Sequence, residues 1–255
     1  MKRAVCAAAA TIVAAILLPA AAPAAEVQIG VTTSPLVSPT CPADAQGGNC
    51  TILLTQVTAY ETLRDGVVNP DTVKHSGVIS SFTLGLAPPS LVTPAIVAAK
   101  SAQYGGPPEA QLTALIPTGT PTNPSYRVAA QTSVVKLRSE FGKVAEFPLL
   151  TPLPVVRGEV LALTVPTWAP VLSIEQTSTK FSYAQSRVKG LATTSKGQKI
   201  SSCNTTATVN LAQIVVGELA GYSCVYPGNR IEYSALEITT PNGFTGQTRR
   251  HRARR

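Results

Sequence analysis

The sequence predicts an all-β fold, a two-sheet antiparallel sandwich or jelly-roll-like arrangement with at most one short helix near residues 94–104. Three observations lead there. About ten short runs rich in Val, Ile, Thr and Tyr are separated by Pro, Gly and Asn. Several of them alternate apolar and polar residues with the period of two that a half-buried strand needs. Neither heptads nor an internal repeat is present, and strands at this spacing suit a sandwich.

Taken in order, residues 1–24 read as a secretory signal. Lys2 and Arg3 supply the positive start, Ala4–Leu18 is apolar, and Ala22-Pro23-Ala24 meets the small-x-small cleavage rule. The apolar stretch is too short for a stable anchor, and no run in the chain reaches the roughly 18 residues of a spanning helix. Cys6 lies at the wrong end of the stretch for lipid attachment. The expectation is a secreted, extracellular protein without a membrane span, whose β-sandwich domain covers residues 25–240.

Strands are expected at Val27–Thr32, Thr51–Thr58, Gly77–Leu86, Gln111–Ile116 and Tyr126–Leu137, then at Val160–Val165, Val171–Gln176, Thr205–Val216, Tyr222–Tyr226 and Arg230–Thr239. The one helix is signalled by Thr93 as cap, Pro94 at the first position, Ala-rich Ala95–Tyr104 and the stop Gly105-Gly106-Pro107-Pro108. Ser186–Ser202, with Arg187, Lys189, Lys196 and Lys199 among Gly, Thr and Ser, reads as a solvated loop. Residues 241–255 read as a disordered, Arg-rich tail.

Cysteine usage agrees with export. Beyond the signal stand Cys41, Cys50, Cys203 and Cys224, and proximity favours the disulfides Cys41–Cys50 and Cys203–Cys224 among three possible connectivities. Zinc is not expected, because the spacings lack C-x2-C and no His accompanies them.

Only 13% of the chain is charged, against about 25% in an average soluble domain. Its net charge of +8 is misleading. Two positives belong to the signal, and five more are Arg249, Arg250, Arg252, Arg254 and Arg255, which leaves a nearly neutral body. Sequence-specific nucleic-acid recognition is therefore not expected. The tail could hold an anionic cell-wall polymer by counterion release.

Two histidines in 255 residues leave little room for His-based catalysis. His75 reads as a turn residue, and no G-x-S-x-G elbow is present. A glycosidase would need two facing carboxylates, and the candidates Asp65, Asp71, Glu140, Glu146, Glu159, Glu175 and Glu218 stand in no recognisable motif. Asp65, Asn69 and Asp71 offer calcium-type oxygens, but their spacing fits an ordinary turn better than a metal loop. No metal or cofactor is expected. Sugar recognition needs an aromatic platform, for which Trp168, Tyr222 and Tyr226 are the candidates.

Several segments in order extend this reading. They are Ser76-Gly77-Val78-Ile79-Ser80-Ser81-Phe82, then Leu115-Ile116-Pro117-Thr118-Gly119, then Tyr126–Ser133, then Phe147-Pro148 followed by Pro154–Leu163. This succession resembles a group of uncharacterised secreted β-sandwich proteins of high-GC soil actinobacteria. The Pro-rich stretch 87–108, and Glu159 where the group tends to have Asp, set this chain apart. The resemblance implies export and a jelly-roll-like sandwich, and it assigns no ligand residue. The expected function is a non-catalytic binding or cell-surface module for carbohydrate or cell-wall polymer. The alternative is a polysaccharide-active hydrolase with paired carboxylates.

Overall fold

The computed structural model describes residues 24–41, 52–193, 199–203 and 211–239. The fold is all-β with one α-helix among these residues. The first half contains β1 (Glu26–Ile29), β2 (Leu54–Arg64), β3 (Val67–Val68), β4 (Gly77–Gly85), α1 (Pro94–Tyr104), β5 (Glu109–Pro117), β6 (Ser125–Gln131) and β7 (Val135–Lys136). The second contains β8 (Val144–Val155), β9 (Val160–Ala169), β10 (Leu172–Ser173), β11 (Ser182–Gln185), β12 (Gly190–Thr193) and β13 (Lys199–Ser202). It closes with β14 (Leu219–Gly221), β15 (Cys224–Pro227), β16 (Arg230–Ile231) and β17 (Tyr233–Thr239).

Two sheets face each other. The smaller has the order β1-β17-β4-β8, and the larger runs β14-β6-β5-β9-β2-β11-β15, with β3 paired to β2 and β7 to β5 off that path. Inward residues of both meet in one core: Ile79, Phe82 and Leu84 from β4 against Leu112, Leu161 and Leu163 from β5 and β9. The two ends of the described chain close the same sheet, with Glu26 opposite Ile238 in the antiparallel β1–β17 ladder. The larger sheet is covered on its other face as well, where Tyr60, Tyr126 and Tyr222 pack ring to ring with centroids 5.0–5.6 Å apart.

The helix forms where its capping residues demand it. The Thr93 hydroxyl accepts from Ile96 N, and Gly105 ends the last turn at φ +76° with its N–H on the Ser101 carbonyl. Thr93→Ala should cost about 0.5–1 kcal/mol in chemical denaturation, the usual loss of an exposed N-cap. An unchanged midpoint would show that packing on β9 alone holds α1.

Several expected elements are corrected. Arg230–Thr239 is not one strand, because Glu232 interrupts it: β16 pairs with β10 while β17 crosses to β1 and β4. The buried Glu232 carboxylate holds this crossing, with Arg230 at 3.3 Å and a hydrogen bond from Ser173 at 2.6 Å. Tyr126–Leu137 likewise divides into β6 and β7, since the Thr132 hydroxyl accepts Leu112 N in place of a ladder carbonyl. Within the expected strand Thr205–Val216, residues 205–210 lie outside those described, and 211–216 form no strand. There the Glu218 carboxylate accepts the N–H groups of Ile214 and Val215, which turns the chain.

Ser186–Ser202 is not simply a solvated loop. Ser186 is buried, and β12 pairs with β13, Gly190 opposite Ser202. The strand β8 was not expected at all. It carries Pro148, Pro152 and Pro154, yet it is an edge strand, where a missing N–H need not break a ladder. Cys203 and Cys224 form the expected disulfide. Cys50, the expected partner of Cys41, lies outside the described residues, as do residues 1–23 of the signal and the tail 241–255.

Candidate functional site

Of the three aromatic platform candidates, two are core residues. Trp168 is 0% exposed near the end of β9. It is enclosed by Ile52, Ala87, Val92 and Val97 of α1, with the Phe141 ring 6.3 Å away. Helix α1 therefore occupies the face that a sugar would need. Tyr222 is also 0% exposed, and its hydroxyl donates to Gln213 Oε1. Burial against Tyr60 and Tyr126 pushes its phenol well above the ordinary value, so it is a fixed neutral donor. Neither ring presents a face to a ligand.

Tyr226 is differently placed. It lies on β15 opposite Tyr183 of β11, and the two rings stack at 5.0 Å and 17°. Its hydroxyl accepts from Gln185 Nε2 at 2.9 Å and Arg187 at 3.2 Å. The ring is thus held at both ends and half-exposed. It lines an open groove of about 540 Å³ with Glu175, Gln176, Tyr183 and Asn229. The groove owes its shape to two turns. Glu175 adopts φ +58°, and Gly228 adopts φ +74°, with Gly228 N–H on the Phe181 carbonyl and Gln176 N–H on the Gly228 carbonyl. The amides are only partly occupied: Asn229 Nδ2 donates to Pro227 O and Gln176 Nε2 to Ile174 O, leaving both amide oxygens for a ligand hydroxyl.

The candidate acids do not converge in that groove. Glu175 is the carboxylate among its described lining residues. Glu146 accepts from Ser81, Glu159 from Val156 N, Glu218 from Ile214 N, and Glu140 pairs with Lys143 at 3.0 Å. Asp65 and Asp71 share no hydrogen-bond partner. Asp65 accepts from the Thr32 hydroxyl and from Ser34 N and Oγ at 2.6–2.7 Å. Against the desolvation it suffers, those bonds hold its carboxyl well below the ordinary range. Asp71 is buried, whereas Asn69 is exposed. No group of three or more His, Cys, Asp or Glu able to hold a metal occurs among the described residues. His75 is exposed in the turn before β4.

The sequence reading missed the most charged feature of the core. Glu61, Arg64, Asp71 and Tyr233 are all fully buried between the sheets. Glu61 would be followed by Arg64 on the opposite face of a regular strand, but β2 bulges at Thr62: Leu63 and Glu61 oppose the consecutive residues Ser182 and Tyr183. The extra residue returns Arg64 to the inner face. Its guanidinium donates to the carbonyls of Gly30, Tyr233 and Ile231. The Tyr233 hydroxyl and Glu61 N both donate to Asp71 Oδ2, and Glu61 Oε1 accepts Ile231 N.

Gly30 is required here, since at φ +78° an added Cβ would lie 2.9 Å from Asp71 Oδ1. Burial pushes the Glu61 carboxyl well above its usual value despite Arg64, and raises Asp71 to about 6. One cation thus faces two carboxyls. Arg64 opposes that rise at both carboxyls, and Asp71 takes two donors on one oxygen.

No helix among the described residues is long and apolar enough to cross a membrane. Comparison with protein-family models, curated proteins and solved structures finds nothing that matches this chain.

Proposed function

We propose that this protein is a secreted, non-catalytic β-sandwich module that binds carbohydrate or a cell-wall polymer through the Tyr226 groove. The observation that carries the reading is the immobilised, half-exposed Tyr226 ring beside the free amide oxygens of Gln176 and Asn229. A pyranose offers an apolar face to stack on a ring and hydroxyls to donate sideways. A ring already fixed by Tyr183, Gln185 and Arg187 loses little freedom on binding. An open groove also suits an extended polymer. The hydrolase reading requires a second carboxylate beside Glu175, and the described lining of the groove offers none. Export is supported by the signal-like start and by the Cys203–Cys224 disulfide.

The test is binding of the mature protein to an array of glycans and cell-wall polymers at low and moderate salt. Binding to one sugar class should persist at moderate salt, and Tyr226→Ala should weaken it about tenfold, the loss of a stacking face. Asn229→Ala, in an exposed turn, should weaken it without altering the melting temperature. Binding that disappears with salt, or that ignores both substitutions, would overturn the reading.

A further inference from the structure

A second cavity lies beside β1, the edge strand of the smaller sheet. A cleft of about 430 Å³ separates β1 from the segment that runs through β3 to Lys74. It shares no lining residue with the Tyr226 groove. Val27, Ile29 and Val31 line it from β1 and its continuation, and Val67 and Pro70 from the other segment. Its polar lining includes Asp65, Lys74 and Glu237.

Glu237 is the anomaly. In β17 it stands directly opposite Val27 on one side and Ile79 on the other. Paired residues of adjacent strands share a face, and Ile79 is fully buried in the core between the sheets. The inward neighbours of Glu237 on its own strand are Tyr233 and Ala235. The position calls for an apolar side chain, yet it holds a carboxylate that is 0% exposed. Neither of its oxygens has a hydrogen-bond partner. Buried polar groups are nearly always satisfied, and leaving one bare costs free energy on folding. Glu237 is one of the residues that line the cleft, which puts room for a donor next to the bare carboxylate.

The chemistry of that donor follows from the surroundings. Asp65, its oxygens already occupied by Thr32 and Ser34, adds a fixed negative charge to the lining. Lys74 is exposed, and its ammonium makes no hydrogen bond with Glu237. The acids present do not make a metal cage. A carboxylate among apolar walls fits a cation with an aliphatic body of its own, and an ammonium group offers three donors to two bare oxygens. We propose that this cleft binds a small organic cation, a protonated primary amine with an aliphatic chain, whose ammonium group donates to Glu237.

The probe is n-hexylammonium, titrated into the full protein by calorimetry, with the methyl resonances of Val27, Val31 and Val67 followed by NMR. Saturable binding with a dissociation constant below about 1 mM is expected, with shifts confined to those methyls. The neutral isostere n-hexanol should bind at least about tenfold more weakly, because it forfeits the charge-assisted bond. Glu237→Gln, which keeps the shape and removes the charge, should weaken n-hexylammonium by about 10- to 100-fold.

Val67→Trp, at an exposed rim position, should block the cleft with Glu237 intact, and it decides the matter if the Gln variant does not fold. Equal binding of amine and alcohol, unchanged affinity in the two variants, or no saturable binding would each overturn the proposal. Tyr226→Ala should leave this binding untouched, so the two sites stand or fall separately.

Discussion

Arg64→Met is expected to lower the unfolding free energy by about 3–5 kcal/mol, the range for removing one partner of a buried charge network. The guanidinium ties Gly30, Ile231 and Tyr233 together through their carbonyls. Gly30 directly follows β1, Ile231 ends β16 and Tyr233 starts β17, and Arg64 itself ends β2 of the larger sheet. A methionine fills most of the volume, so the loss is not chiefly a cavity. It comes from three stranded carbonyls and from an Asp71 carboxylate left without its cation.

The measurement is denaturant unfolding followed by fluorescence of Trp168, the single tryptophan, which is fully buried. Asp71→Asn in the same background should recover part of the loss, because the uncompensated charge then disappears. The coupling between the two substitutions should be about 1–3 kcal/mol. A loss under about 1 kcal/mol for Arg64→Met, or strictly additive effects, would show that the cluster is not electrostatically linked.

This cluster also shows what could be read from the sequence and what could not. The helix was legible because its signals are local: Thr93, Pro94 and Gly105 act within one turn of the chain. Strands such as Gly77–Gly85 were legible because alternation reports a buried face. The strand Val144–Val155 was not, because its prolines mark a turn unless the strand is known to be at an edge, and edges are a tertiary property.

Trp168 and Tyr222 fit an exposed platform as well as a core until it is known that α1 and Gln213 cover them. Tyr226 was legible as an aromatic next to a disulfide, but Glu175 and Gln176 reach it only through the folding of two turns. For Glu61 and Arg64 a signal did exist. Two opposite charges stand in a run, Val57–Arg64, whose other members are mostly buried, and such charges must be paired or hydrogen-bonded. The bulge that brings them to one face leaves no mark in composition.

Stability should fall as pH rises from about 4 to 7, opposite to the trend of a protein held by surface ion pairs. Burial raises the Asp71 carboxyl from 3.8 in the unfolded chain to about 6 in the fold. Between those values the folded state binds more protons than the unfolded state, so each step up in pH favours unfolding. Two pKa units correspond to about 3 kcal/mol, fully lost once pH exceeds the folded value. Burial shifts Glu61, Glu159, Glu232 and Glu237 the same way. Asp65 opposes them, since its depressed carboxyl contributes stability that is lost only as pH falls below the unfolded value.

The curve should therefore have its maximum near pH 4 and descend toward neutrality, as read from denaturation midpoints at fixed ionic strength. Asp71→Asn keeps an acceptor for the Tyr233 hydroxyl but cannot titrate, and its curve should be flatter by most of that 3 kcal/mol. A parallel curve in Asp71→Asn would place the proton elsewhere. A stability that rises from pH 4 to 7 would mean that Asp71 is held ionised by Arg64 at every pH, with the guanidinium outweighing burial.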